Sequence, residues 1–135
     1  MNRPQDAIDL LRDLGNPARL KLVYDYSHFA LRDMPMDETI SVSLPQTCFV
    51  SIKDVVQSGD KFAFKLPGET GQIDYAAMLR RLAQGGYHGD VNCEVSAGIS
   101  TKPGYDGVEA AKTCYAAISP AFVAAGVSRP ARRAR

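Results

Sequence analysis

The stretch Thr47-Cys-Phe-Val-Ser-Ile-Lys53 is the most strand-like part of this chain. It is rich in β-branched and other apolar residues, which favour strands, and Pro45 separates it from the preceding segment. Two further short apolar runs, residues 20–25 and 91–95, have a similar character. We interpret these runs as the buried strands of one sheet.

Segments with helical spacing of apolar residues alternate with these strands. One spans residues 6–14, a weak one spans 37–43, and two others begin at Asp74 and Asp106, which are good N-cap residues. Pro120 is expected to kink the last helix or to begin a new turn. Because strands that alternate with helices favour parallel pairing, the sequence predicts an α/β fold.

Length and composition limit the possible classes of protein. The chain has 135 residues, with 16 Lys and Arg against 15 Asp and Glu, and a formal net charge of +1. Its apolar content of 45 % is ordinary for a globular protein and argues against a disordered chain. A complete (β/α)8 barrel needs roughly 200 residues or more. No stretch approaches the roughly 18 apolar residues of a membrane span.

The N-terminus and the cysteines bear on the expected compartment. The first residues lack the apolar segment of a secretory signal. Cys48, Cys93 and Cys114 have no metal-binding spacing. We therefore expect buried, reduced thiols in a cytoplasmic protein.

Polar residues stand where each predicted strand ends. Asp25 and His28 follow the first strand, Lys53 ends the second, and Glu94 lies in the third. Ligands bind at the carboxyl ends of parallel strands, and alternate strand residues share a side. If that side is a barrel interior, Asp25, Ser51, Lys53 and Glu94 converge. Two carboxylates beside an imidazole suit Mg²⁺ or Mn²⁺ and proton abstraction next to a carbonyl.

Each of these residues also has a purely structural interpretation. Asp25 can cap a loop, His28 can be an ordinary loop histidine, and Lys53 can pair with Asp54 or another carboxylate. Glu94 is the most informative residue, because a carboxylate in an apolar strand is costly to bury without a partner.

Several motifs resemble the sugar phosphate isomerase/epimerase family of xylose isomerase-like TIM barrels. The matching stretches are Asp25–His28 (D-x-x-H), Phe49–Asp54 (H-x-H-x-K-D), Phe64–Tyr75 (L-P-G-x-G-x-I-D-Y) and Gly86–Glu94 (G-Y-x-G-x-V-x-x-E). The resemblance covers about three C-terminal βα units. It implies a partial (β/α)8 barrel over residues 1–128, and we expect residues 129–135 to form a basic disordered tail.

The resemblance also implies a site. The family holds Mn²⁺, Mg²⁺, Co²⁺ or Zn²⁺ through two Glu, one Asp and one His, and its Glu residues move the proton. On this chain it implies Asp25 and Glu94 as metal ligands, with Glu94 and Lys53 as catalytic residues. The implied substrate contacts are His28, Ser51, Lys53, Pro67 and Gly68. Ser51 stands at the family's His position, and a hydroxyl is a poorer metal ligand than imidazole.

The function implied is metal-assisted proton transfer next to a carbonyl of a small sugar or polyol-derived substrate. The alternative is a non-catalytic, truncated barrel remnant or a subunit that needs a partner chain. An apurinic endonuclease-like activity ranks third, because phosphate-backbone binding needs a basic face and the net charge is near zero. Three strands cannot close a barrel, so we expect a homo-oligomer or a complementing chain.

Overall fold

A computed structural model describes residues 2–128 of the chain. The helices are α1 (Pro4–Asp13), α2 (Ser27–Ala30), α3 (Met36–Ser43), α4 (Tyr75–Gln84), α5 (Ala97–Ser100) and α6 (Gly107–Ala125), with a 3₁₀ turn at Leu44–Gln46. The strands are β1 (Leu22–Tyr24), β2 (Thr47–Ile52), β3 (Asp54–Ser58), β4 (Lys61–Lys65) and β5 (Val91–Cys93). The predicted basic tail, residues 129–135, lies outside the described residues.

The central sheet has three strands in the order β1-β2-β5. Both pairs are parallel, and Val50 of β2 lies opposite Tyr24 on one side and Val91 on the other. Helical segments separate these strands along the chain. The structure therefore confirms the α/β fold with parallel strands, which is consistent with part of a TIM barrel.

One face of this sheet packs against helices and forms the core. Val50 and Ile52, which alternate along β2, are almost completely buried on that face. The buried core residues are Tyr24, Ile40, Val50, Ile52, Ile73, Tyr75, Met78, Leu82 and Ile118. Asp74 caps α4 by accepting a hydrogen bond from the backbone N–H of Ala77, as the sequence predicts. Packing against the helices holds the strands, and the polar residues at their ends, in place.

The opposite face of the sheet is open around Val23, although Ser51 is buried on that face. Val23 of β1 is 62 % exposed, although it lies opposite the half-buried Phe49 in the register. Within residues 2–128, both β1 and β5 pair with β2 alone. The sheet therefore has exposed apolar surface on this face and unpaired strand edges at β1 and β5.

An antiparallel hairpin follows the second parallel strand. Strands β3 and β4 pair from Asp54↔Lys65 to Ser58↔Lys61. Neither of these two strands is among those that the sequence predicts. Gly59 has a φ of +57°, a left-handed conformation that favours glycine in tight turns.

The last helix does not end where the sequence suggests. Helix α6 continues through Pro120 to Ala125, so the expected new turn at Pro120 is wrong. Proline removes one backbone hydrogen bond, but packing of Ile118, Ala121 and Phe122 against the core favours continuation of the helix. The segment that follows β5 contains the short helix α5.

The cysteines are free but not uniformly buried. Cys114 is buried and Cys93 is half-buried, whereas Cys48 is exposed, so the expectation of burial is wrong for Cys48. Cys48 shares a surface cavity with Gly85 and Gly86, which have no side chains to cover it. Burial raises the pKa of Cys93 to about 11, so its thiol is neutral at physiological pH.

None of the helices in the described part of the chain combines the length and the apolar character needed to cross a bilayer. The cytoplasmic location stays a prediction.

Candidate active site

Side chains at the carboxyl ends of the parallel strands form one cluster. Asp25 directly follows β1, Lys53 follows β2 and Glu94 follows β5. The Nζ atom of Lys53 lies 2.6 Å from Oδ2 of Asp25 and 2.7 Å from Oε1 of Glu94. The structure thus brings together the strand ends that the sequence predicts to converge, and their chemical roles stay predictions.

Lys53 lies at the centre of this cluster. Only 3 % of its side chain is exposed, and its ammonium also lies 4.6 Å from the centroid of the Phe64 ring. Burying a charged group is costly unless it is paired and hydrogen-bonded. The two carboxylates and the aromatic face together offset that cost and hold the ammonium in one position.

Asp25 combines the two roles that the sequence leaves open. Its Oδ1 accepts hydrogen bonds from the backbone N–H and the hydroxyl of Ser27, at 3.0 and 2.7 Å. Its Oδ2 accepts one from Lys53, and Nε2 of His28 lies 3.5 Å from the same oxygen. Asp25 therefore orders the start of α2 and also belongs to the polar cluster.

Glu94 is the carboxylate of the cluster most open to solvent, with 38 % of its side chain exposed. Its second oxygen, Oε2, accepts a hydrogen bond of 2.9 Å from the hydroxyl of Ser51. Burial by itself raises the pKa of Glu94, but the hydrogen bonds from Lys53 and Ser51 and the lysine charge outweigh it. The pKa therefore lies below its ordinary value, and the carboxylate is ionised at neutral pH.

The lowered pKa of Glu94 predicts a loss of stability in acid. Because the folded pKa lies below the unfolded value of about 4.3, the unfolded chain binds protons more readily. The stabilisation by the ionised Glu94 carboxylate is complete above the unfolded pKa and is lost as pH falls through the folded pKa. We expect the urea midpoint of Glu94→Gln to change less between about pH 6 and pH 3 than that of the native chain.

The matched control for this measurement is Glu109→Gln. Glu109 is an exposed carboxylate on α6, and 65 % of its side chain is accessible. This control should reproduce the native pH profile. Identical pH profiles for Glu94→Gln and the native chain would contradict a contribution of Glu94 to the loss of stability in acid.

His28 stands at the open side of the cluster, beside an aromatic wall. Its side chain is 51 % exposed, and its ring contacts Phe64 edge-on at 5.2 Å. Phe62, which is also exposed, contacts Phe64 at 5.4 Å. Sequence reasoning missed both phenylalanines because it did not predict the hairpin that carries them.

Asp54 faces away from the cluster, although it adjoins Lys53. It is fully buried and accepts hydrogen bonds from the backbone N–H and the hydroxyl of Thr70, both at 2.7 Å, and from the hydroxyl of Tyr75. Burial first, and then this carboxylate, raise the pKa of Tyr75. Lys53 therefore pairs with Asp25 and Glu94 and not with Asp54, since successive residues of an extended segment point to opposite sides.

Pro67 and Gly68 lie on the loop between β4 and α4. Pro67 is fully buried, and Gly68 has a φ of +87°. A Cβ atom at Gly68 would come within 2.4 Å of Cβ of Ala117 on α6. The structure places this pair in the packing of the loop and not among the side chains around Lys53. Their predicted substrate contact stays a prediction.

The donor set of the cluster does not fit a divalent cation as it stands. Every carboxylate oxygen of Asp25 and Glu94 accepts a hydrogen bond from the protein, and the Lys53 ammonium lies between them. The described residues contain no group of three or more His, Cys, Asp or Glu placed to hold a metal ion. The Ser51 hydroxyl donates to Glu94 and does not replace an imidazole ligand. The metal stays a prediction of the resemblance.

Comparison with known proteins agrees with the fold. Residues 1–117 match the family described as xylose isomerase-like TIM barrel, and the chain belongs to that family. A curated Mus musculus protein named "Putative hydroxypyruvate isomerase" is 29 % identical over 94 residues. The match covers 70 % of this chain and 31 % of the mouse protein, so the chain spans about a third of that relative. Both similarities support a protein of the sugar isomerase/epimerase-like kind.

Proposed function

We propose that this chain carries strand ends of a sugar isomerase or epimerase site, where a proton moves next to a carbonyl. The observation that carries the proposal is Glu94, an ionised carboxylate held by Lys53 and Ser51 yet 38 % exposed. The substrate is a small sugar or polyol-derived compound. The name of the mouse relative points to a small hydroxy-carbonyl compound of this kind.

Each residue of the cluster has a distinct part in this reaction. Glu94 accepts the proton from the carbon beside the carbonyl and returns it, so it is the catalytic residue. Lys53 is buried, positions Glu94 and keeps it ionised. Its direct part in catalysis and in substrate contact stays a prediction. His28 and the phenylalanine wall offer contact surface for the substrate.

Solvent exchange tests the proposal directly. The native chain is incubated in D₂O with hydroxypyruvate and with small ketoses, and NMR measures deuterium at the carbon beside the carbonyl. A general base contributes roughly 10²–10⁴-fold, so we expect Glu94→Gln to slow exchange by about 100-fold or more. Glu109→Gln should exchange at the native rate. Native exchange no faster than buffer would favour the non-catalytic alternative.

One observation favours the non-catalytic alternative. All carboxylate oxygens of Asp25 and Glu94 already have protein partners, as in a structural ion-pair network. A remnant or partner-dependent subunit would keep such a network for stability alone. The exchange experiment separates the two functions, because a structural network gives no deuterium incorporation.

We further propose that a second copy or a complementing chain covers the open face of the sheet. Val23, Phe49 and the unpaired edges of β1 and β5 support this proposal. Light scattering should then give a mass above the 14.6 kDa of one chain. Val23→Glu should lower that mass, whereas Val123→Glu, at a 78 % exposed position on α6, should leave it unchanged. A native monomer would contradict self-association and leave only the complementing chain.

A further inference from the structure

We propose that Lys53 takes the place of a divalent cation between Asp25 and Glu94. The cluster then carries its own positive charge and binds no divalent metal while Lys53 is present. This inference goes beyond the proposed function, which concerns the proton transferred by Glu94.

The position of the ammonium is the first argument. Nζ of Lys53 contacts one oxygen of each carboxylate, at 2.6 Å and 2.7 Å, and the Phe64 ring covers it from another side. An ammonium is a compact point charge with three donors, and it bridges two carboxylates as a bound cation would. With only 3 % exposure, it has no solvent-facing position to which it could retreat without rearrangement.

The saturation of the carboxylates is the second argument. The oxygens that Lys53 does not contact are engaged by Ser27 on Asp25 and by Ser51 on Glu94. A metal ion would have to displace the ammonium or break these hydrogen bonds. A displaced ammonium would then lie buried beside a second cation, and like charges in such a site repel strongly.

The size of Ser51 is the third argument. Ser51 and Lys53 lie on the same side of β2, and both are buried, with exposures of 5 % and 3 %. The small hydroxymethyl group of Ser51 leaves space for the lysine and donates a hydrogen bond to Glu94. A larger ligating side chain at this position would compete with the ammonium for the same carboxylate.

The first test uses the native chain. Side-chain ¹⁵N NMR should show a resolved Lys53 ammonium signal, since burial and ion pairing slow its exchange with water, and Lys53→Arg identifies the signal by removing it. We expect its intensity to be unchanged when Mn²⁺ is added up to the protein concentration. Selective broadening of this signal by substoichiometric Mn²⁺ would overturn the proposal.

The second test uses Lys53→Met, with Lys112→Met on α6 as the control for loss of an exposed lysine. At millimolar Mn²⁺ we expect no change in the melting temperature of the native chain or the control. We expect a rise of about 4 °C or more for Lys53→Met, since an ion that binds only the folded state stabilises it. Adding Asp25→Asn to Lys53→Met should abolish the rise.

A rise in the native chain, or none in folded Lys53→Met, would overturn the proposal. If Lys53→Met does not fold, the NMR experiment on the native chain decides. Both experiments measure metal binding and not turnover. Their failure would therefore leave the proposed role of Glu94 to be judged by deuterium exchange alone.

Discussion

Lys53→Met is expected to lower the free energy of unfolding by about 3 kcal/mol, at the low end of the range for breaking a buried ion pair. The variant leaves Asp25, whose side chain is 11 % exposed, without its cation. Glu94 also loses this partner, but its 38 % exposure lets water compensate in part. Urea unfolding followed by circular dichroism at pH 7 measures the difference.

Two comparisons separate loss of this ion pair from a general effect of removing a lysine. Lys112→Met removes an exposed lysine whose side chain is 67 % accessible, and it should change stability by less than about 0.5 kcal/mol. The deficit of Lys53→Met should shrink in acid, because a protonated Glu94 no longer needs a cation. A loss below about 1 kcal/mol at pH 7 would show that the ion pair contributes little.

Asp54→Ala should be similarly costly, at about 3 kcal/mol, through a different set of contacts. Asp54 is fully buried and holds both the backbone and the side chain of Thr70 together with the hydroxyl of Tyr75. Removing it leaves the buried Tyr75 hydroxyl and the two half-buried Thr70 donors without this acceptor, and an unpaired buried donor costs about 1–3 kcal/mol. Hydrogen exchange at the Thr70 amide should also accelerate, since the loop loses its attachment to β3.

Tyr75→Phe is the matched comparison for Asp54→Ala. It removes one hydroxyl donor to Asp54 and keeps both hydrogen bonds from Thr70. We expect it to cost about 1 kcal/mol and to leave exchange at Thr70 close to native. If Tyr75→Phe were as destabilising as Asp54→Ala, the contacts with Thr70 would contribute nothing measurable.

The convergence of the strand ends could be predicted from the sequence for a simple reason. Alternation within a strand places Ser51 and Lys53 on one side, and parallel pairing brings Asp25 and Glu94 to the same edge. Both rules depend on local sequence patterns alone. Once the sheet order is known, these two rules predict that Asp25 and Glu94 are the partners of Lys53.

Other features depend on contacts between distant residues, which no local pattern shows. Asp54 finds its donors 16 and 21 residues further along the chain. Phe64 approaches Lys53 only because β4 folds back along β3, and the hairpin starts after a single residue with no turn signal. The exposure of Cys48 likewise depends on glycines that precede β5.

The short connection between β2 and β3 limits which changes in chain length the protein can accept. Strand β2 ends at Ile52 and β3 begins at Asp54, so Lys53 alone separates them. Deleting one residue in this segment would turn the side chains of Lys53 and Asp54 each to the opposite side of the sheet. A third carboxylate would then enter the acidic pair, and an ammonium would enter the apolar layer. Insertions and deletions should therefore be tolerated at the tip of the hairpin and excluded from this connection.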